Sequence, residues 1–362
     1  MLDPTAKVDA YVRDKQLALG RAIAPRAKIY LDLNFWIAAR DAAQGIRTDP
    51  PARKLLHLLR RGVGQGRLIC PVGDTSFMEL IKQPLSEDRR LGTARIVDDL
   101  SLGVSILPSR PRTGTEIYRL LHQALGQADT LTPMQNMVWT KVCHILGPSY
   151  PFDDAIDAET MVVLQKRTID TLWKAPLIDM ILRAGDDSGE HEDFGPLTED
   201  ANRQRDLYAD EITSYQVAYD AELRGAIDAF GDLTADILLE IGARAGLGEP
   251  SEKGDRALIR NGARNALYQA FKAPGAASTV RTLHVETALH ASLRFDKKRR
   301  MKPNDWHDFR HAAAALAYCD VFLTDGPLHD LVKRPQLGLL QVNGCQVAST
   351  LDDAIAILRA LP

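Results

Sequence analysis

Short β-rich runs, each followed by a helical pattern, occupy both ends of the chain, and the stretch from 109 to 300 between them reads as helix. At the amino-terminal end the runs are "AKIYLDL" (27–33), "GRLICPV" (66–72) and "GVSILP" (103–108). Helical patterns follow them at 34–44, 52–62, from Asp74 or Thr75 onward, and near 86–102. At the other end, a helix near 305–318 leads into "DVFLT" (320–324), a helix near 326–333, the apolar run "LGLLQV" (337–342) and the amphipathic helix "TLDDAIAILRAL". Strands alternating with helices predict right-handed crossovers and a parallel sheet. Parallel strands need cover on both faces, so neither end of the chain can complete such a sheet alone. The expected fold is α/β, one Rossmann-like parallel sheet split by a mostly α-helical insertion. The boundaries that follow are an N-terminal extension at 1–26, the first half of the sheet domain at 27–108, the insertion at 109–300 and the second half at 301–362.

Inside the insertion, apolar residues recur at helical spacing in "EIYRLLHQAL", "ETMVVLQKRTIDTLW", "LYADEITSYQVAYDAELRGAI" and "TADILLEIGARAGL". Its segment "DDSGEHEDFGPLTED" (186–200) carries seven carboxylates and no Lys or Arg, which predicts an exposed acidic loop. A chain of 362 residues suffices for roughly two domains of about 150 residues, so folding needs no staples. The four cysteines, Cys70, Cys143, Cys319 and Cys345, form no C-x-x-C pair, which argues against a cysteine zinc site or a disulfide framework and for a reducing compartment. The first residues lack a basic segment followed by an apolar one, and no window approaches about 18 apolar residues in a row, so the expected location is the cytoplasm with no membrane partner. With 45 basic against 48 acidic residues there is no global basic field, and any polyanion has to be met by a local patch.

Candidate chemistry concentrates in "NDWHDFRHAAAALAYCDVFLTDG", Asn304 to Gly326. His307, Asp308 and His311 spell H-D-x-x-H, one methylene short of the pattern that puts two zinc-binding imidazoles and a carboxylate base on one helical face. The shorter Asp would have to reach the zinc-bound water, and no third ligand follows at a recognisable spacing. A zinc hydrolase is therefore the weakest of the readings. A different set of acids is stronger. Asp32 closes the first strand and Asp325 closes the strand after the Ala-rich helix; in a parallel sheet both carboxyl ends face one crevice. Glu79, on the helix after the second strand, and Asp308 can lean over the same rim. Clustered carboxylates repel one another, and oxygen donors of this kind suit Mg²⁺ or Mn²⁺. Each Asp alone would be an ordinary helix-start residue. An aspartyl-phosphate hydrolase would also end its first strand in Asp, but would place a second Asp where this chain has Asn34.

Taken together these segments resemble PIN-domain nucleases. "IYLDLNFWI" resembles their first motif, an apolar strand ending in Asp-x-Asn, and "TSFMEL" their second, with Glu79 lying 47 residues after Asp32. "DFRHAAAALAYCDVFLTDG" resembles their third and fourth, an Asp, an Ala-rich helix and a strand closing in Thr-Asp, with Asp325 lying 17 residues after Asp308. The resemblance covers about 27–107 and 304–345 and is silent on the helical middle. It departs from the common pattern at Leu33, where a small or hydroxyl residue is usual, at Gly326, where an acid is often found, and in the long insertion. It implies a PIN-like domain in two halves, with Asp32, Glu79, Asp308 and Asp325 holding one or two Mg²⁺ or Mn²⁺ ions and Asn34 and Thr324 supporting them. It also implies hydrolysis of phosphodiesters to 5′-phosphate products. Asp305 is a further carboxylate, either a helix cap or an added ligand.

A phosphate backbone must also be held. "RFDKKRRMK" (294–302) puts Lys297, Lys298, Arg299 and Arg300 just before the helix of Asp308, either a phosphate grip or a solvated linker, and Trp306 beside it is first a packing residue and second a ring for base stacking. The expected partner is RNA, with DNA also admitted, and the insertion offers a surface for a protein partner or a second copy. The alternative is a PIN-like scaffold that binds RNA or protein without cutting.

Overall fold

The computed structural model describes residues 7–126, 131–147, 149–184, 193–244, 246, 253–273 and 275–361. The chain opens with α1 (Val8–Ile23), then builds β1 (Ala27–Leu31), α2 (Leu33–Ala43), α3 (Pro50–Gly64), β2 (Leu68–Ile69), α4 (Asp74–Ile81), α5 (Arg90–Ser101) and β3 (Val104–Ile106). The middle contributes α6 (Ser109–Ala124), β4 (Trp139–Lys141), α7 (Ala158–Leu172), α8 (Leu177–Ala184), α9 (Gly195–Leu207), α10 (Tyr215–Ala229), α11 (Gly231–Arg244), α12 (Lys253–Phe271), α13 (Ala276–Thr279) and α14 (Arg281–Phe295). The chain closes with α15 (Pro303–Tyr318), β5 (Val321–Leu323), α16 (Gly326–Val332), β6 (Gln346–Ala348) and α17 (Leu351–Ala360).

The fold is α/β: a mostly helical chain around a four-stranded parallel sheet in the order β2-β1-β5-β6. β1 and β5, separated by nearly the whole chain, are neighbours in register, with Ile29 opposite Val321 and Leu31 opposite Leu323. Alternation along β1 explains why both faces are covered. Ile29 and Leu31 join Val321, Leu323 and the apolar residues of α2, α3, α5 and α17 on one face. Tyr30 joins Phe322 and the buried faces of α14, α15 and α16 on the other. β3 is tied to the sheet through Val72, whose N–H donates to Val104 and whose carbonyl accepts from Ile106.

Three expectations are corrected. The run "LGLLQV" is not a strand: Gly338 takes a left-handed φ of 63°, and Leu339–Gln341 form a 3₁₀ turn, so the last strand is β6 instead. Four Leu and Val in six residues made the run look β-like, but a residue in the left-handed region cannot continue a strand. The middle segment is not free of strands, because β4 pairs antiparallel with β3 and buries Trp139 completely. The acidic segment is not a loop throughout: residues 186–192 lie outside the described residues, but α9 begins at Gly195.

The middle helices pack in different places. α6, α10, α11, α12, α13 and the start of α14 share a core of Ile117, Leu223, Ile237, Leu267 and Leu283. α7 instead docks on α1, where Tyr11 and Lys15 both donate to Asp170 at 2.6 Å. α8 docks on α5, its first N–H groups capped by Asp98 at 2.7 and 3.0 Å. α1 is itself tightly seated: a Cβ at Gly20 would overlap the backbone of Asn136. A buried polar network joins α6, α14 and α15. Arg112 Nε donates to Thr282 Oγ1 at 2.9 Å, and Thr282 Oγ1 donates to Glu116 at 2.7 Å. The Tyr318 hydroxyl donates to the same carboxylate. No helix among the described residues is long and apolar enough to cross a membrane.

Candidate active site

Because Leu31 and Leu323 are opposite each other, β1 and β5 end side by side, and Asp32 N–H still donates to Leu323 O at 3.0 Å. A helix starts at once after each strand. The first N–H groups of a helix lack partners within it, which is why an Asp stands at each turn. Asp32 Oδ1 accepts from Phe35 N at 3.1 Å to start α2, and Asp325 Oδ1 accepts from Leu328 N at 3.0 Å to start α16. Thr324 is buried between them; its N–H is bonded to Ala348 O at 3.0 Å, and its side chain is hydrogen-bonded to Asp32.

α15 and α4 close the other side of the rim. Asp308 and His311 are three apart on α15, so they share a face. Asn304 Nδ2 donates to Asp308 Oδ1 at 3.0 Å. His311 is 2 % exposed and lies between Tyr30 and Glu79: its Nδ1 is 2.9 Å from the Tyr30 hydroxyl and its Nε2 2.9 Å from Glu79 Oε2. A carboxylate only accepts, so Nε2–H donates to Glu79.

Charge ties the set together. Burial pushes the Asp32 carboxyl up to about 6, with the charge of Asp325 adding to the rise while His311 and the cap bonds oppose it. Burial, reinforced by the charges of Asp325 and Asp305, pushes Asp308 up to about 7. Burial works against a charged His311, but the bond and charge of Glu79 and the charges of Asp32 and Asp308 raise its pKa above the ordinary value. Burial likewise opposes the charge on Glu79, and His311, His307 and Lys82 together hold it below the usual range. Three of the four acids, Glu79, Asp32 and Asp308, thus favour the charged form of the one imidazole they surround.

The donor chemistry of Asp32, Asp308 and Asp325 fits a hard cation, since Asp32 and Asp308 are driven toward protonation by burial and by the charge of Asp325. The side chains are not, however, drawn together around one point. Among the described residues no group of three or more His, Cys, Asp and Glu side chains is gathered closely enough to hold a metal ion. Glu79 is turned to His311, and Asp32 and Asp325 each give an oxygen to a helix start. The zinc arrangement of His307 and His311 is likewise not assembled: His311 is engaged at both nitrogens, and His307 Nε2 faces Lys82 Nζ at 3.3 Å.

The remaining predicted residues are placed as follows. Asn34 is exposed in the first turn of α2. Asp305 is a capping residue: it accepts from Lys302 N at 2.8 Å and from Arg299 at 2.6 Å. Arg300 pairs with Asp206, while Lys297 and Lys298 are exposed. Trp306 is half-buried in packing, stacked on Phe194 and donating to Thr198 Oγ1 at 3.0 Å. Tyr30 and the bridging role of His311 were not foreseen. The sequence showed only the faces on which they lie: Tyr30 shares the strand face of Asp32 at i−2, and His311 the helix face of Asp308 at i+3. Comparison of the chain with protein-family models, curated proteins and solved structures finds no match, so a function can be argued only from these residues and their geometry.

Proposed function

We propose that the chain is a divalent-metal-dependent endonuclease of PIN-like architecture that hydrolyses phosphodiester bonds, with RNA as its principal substrate. One observation carries the reading: Asp32 and Asp325 stand at the carboxyl ends of two adjacent parallel strands, at the point where the chain leaves β1 for β2 on one side and has β5 on the other. That crevice is where open α/β sheets bind ligands. Asp308 is coupled there to Asp325 through charge.

Asp32, Asp308 and Asp325, with Glu79, would hold Mg²⁺ or Mn²⁺, which supplies Lewis acidity toward a water and neutralises phosphate charge. The protein's own groups position this set. Thr324 steadies Asp32, Asn304 steadies Asp308, and His311, itself fixed by Tyr30, holds Glu79 at the edge of the rim. Thr324 serves there as a support of Asp32 and not as a nucleophile, so positioning and charge carry the catalysis.

A second reading, a scaffold that binds RNA without cutting, is favoured by the engagement of Glu79 with His311 and of both strand-end Asp residues with helix starts. The two are separated by incubating total RNA with the protein in Mn²⁺, Mg²⁺ or EDTA beside the Asp32→Asn variant. Cleavage that needs the metal and Asp32 supports the nuclease; bound but intact RNA supports the scaffold.

A further inference from the structure

One cavity beside the rim has the chemistry to bind an anion. It encloses about 210 Å³ between α4, α15 and the start of α6, and Thr75, Lys82, His307 and Arg310 line it. Successive residues of a helix turn by about 100°, so His307 and Arg310 lie on the flank of α15 next to the face of His311 and Asp308. Lys82, the residue that caps the carboxyl end of α4, stands three residues beyond Glu79 and continues its face. Charge sensing agrees with this placement, because Glu79 feels both His307 and Lys82. The cavity and the carboxylate rim are therefore neighbouring compartments, one basic and one acidic.

Lys82 and His307 are not fully used within the protein. Lys82 is exposed, and its ammonium lies 3.3 Å from His307 Nε2. An ammonium can only donate, so Nε2 accepts and the ring proton sits on Nδ1. That Nδ1 has no hydrogen-bond partner among the described residues, although His307 is 8 % exposed. A buried donor without an acceptor is costly, and a ligand oxygen would satisfy it. Arg310 also lines the cavity, its guanidinium 4.9 Å from the centre of the Phe194 ring and near enough to Glu286 to act on its charge. The carboxylate in the lining, Asp74, is committed to helix starts, accepting from Thr75 N at 3.0 Å and Ser109 N at 3.4 Å. At about 210 Å³ the space is below the usual range for a whole drug-sized ligand and suits a single charged group.

We propose that this cavity is a phosphate subsite, binding a backbone phosphate of the RNA next to the one that is cut. The assignment rests on the nuclease reading for its substrate, and on Lys82, His307 and Arg310 for its chemistry.

The test measures binding and leaves cleavage aside. Full-length Asp308→Asn protein is titrated with an eight-nucleotide single-stranded RNA over a range of salt, alone and combined with Lys82→Met or Arg310→Met. An exposed lysine of α3, replaced as Lys54→Met, controls for net charge. Losing a charge-assisted contact should weaken binding about tenfold in each of the first two combinations. The slope of log affinity against log salt should fall by about 0.7 for each cation removed. Unchanged affinity and slope in both, or a loss no greater than that of Lys54→Met, overturns the proposal. A parallel arm with inorganic phosphate identifies the source: a Lys82-dependent thermal shift with phosphate, without any effect on RNA, gives the cavity to free phosphate and overturns the backbone assignment. RNA held through Lys82 by a wild-type chain that never cuts it supports the subsite while removing the nuclease reading.

Discussion

Asp32 and Asp325 cap the helices that leave two hydrogen-bonded parallel strands, Asp32 through Phe35 N at 3.1 Å and Asp325 through Leu328 N at 3.0 Å. Each carboxylate therefore serves the fold and lends a negative charge to the same rim. Substitution separates the two roles, because Asn caps a helix about as well as Asp and Ala does not. Asp325→Asn should leave the metal-free melting temperature unchanged or slightly higher, since repulsion of Asp308 is relieved, while cleavage is lost. Asp325→Ala should lose cleavage and also about 0.5 to 2 kcal/mol of stability. Melting curves paired with an RNA cleavage assay decide it; an Asn variant that is badly destabilised yet still cuts makes Asp325 a structural cap alone.

Glu116 gives the protein a pH dependence remote from the rim. Burial lifts its pKa from the ordinary 4.5 to about 7, against the pull of Tyr318, Thr282 and Arg112. Between those values the folded chain holds a proton that the unfolded chain has released, so stability falls as pH rises. The contribution is complete below about 4.5 and gone once pH passes about 7. Urea unfolding at pH 5 and pH 8 should show the wild type losing more stability over that interval than Glu116→Gln. Parallel losses in the two proteins would mean that Glu116 titrates normally.

The basic run divides by function. Arg299 holds the buried Asp305 and Arg300 pairs with Asp206, whereas Lys297 and Lys298 are exposed. Replacing both lysines with Ser should weaken RNA binding and lower its salt slope by about 1.4, at about 0.7 per phosphate contact on a single strand, with no change in melting. Arg299→Ser should instead cost about 1 to 2 kcal/mol of stability, because a buried carboxylate loses a charged partner. Binding isotherms at several salt concentrations and melting curves of both variants check this division; a lysine pair that alters stability and leaves affinity intact would reverse it.

Strands that end in an Asp-capped turn were the legible part of the chain. "AKIYLDL" and "DVFLTDG" carry consecutive β-branched and aromatic residues and stop at an Asp that starts a helix, so both composition and boundary point one way. β6 was missed because "QVA" is three residues long with an exposed Gln346, while the more apolar run just before it is turned aside at Gly338. β4 was missed because Trp139 and its neighbours are too few to show alternation. At the rim, each Asp could be assigned to a strand end or a helix start from sequence. The Tyr30–His311–Glu79 bridge could not, since it joins residues from β1, α15 and α4 that meet only after the sheet has closed around the middle helices. The same bridge ties up Glu79, a competition between partners that a motif pattern does not record.

The decisive measurement is calorimetric titration of metal-free protein with Mn²⁺, for the wild type and for Asp308→Asn. If the rim gathers a cation for chemistry, the wild type takes up Mn²⁺ saturably with release of protons, because Asp32 and Asp308, raised to about 6 and about 7, are partly protonated near neutral pH. Asp308→Asn should bind at least tenfold more weakly and release fewer protons, since one ligand and one titrating group are gone. Equal Mn²⁺ binding by the two proteins, or none by the wild type, would contradict a metal-dependent nuclease site at this rim.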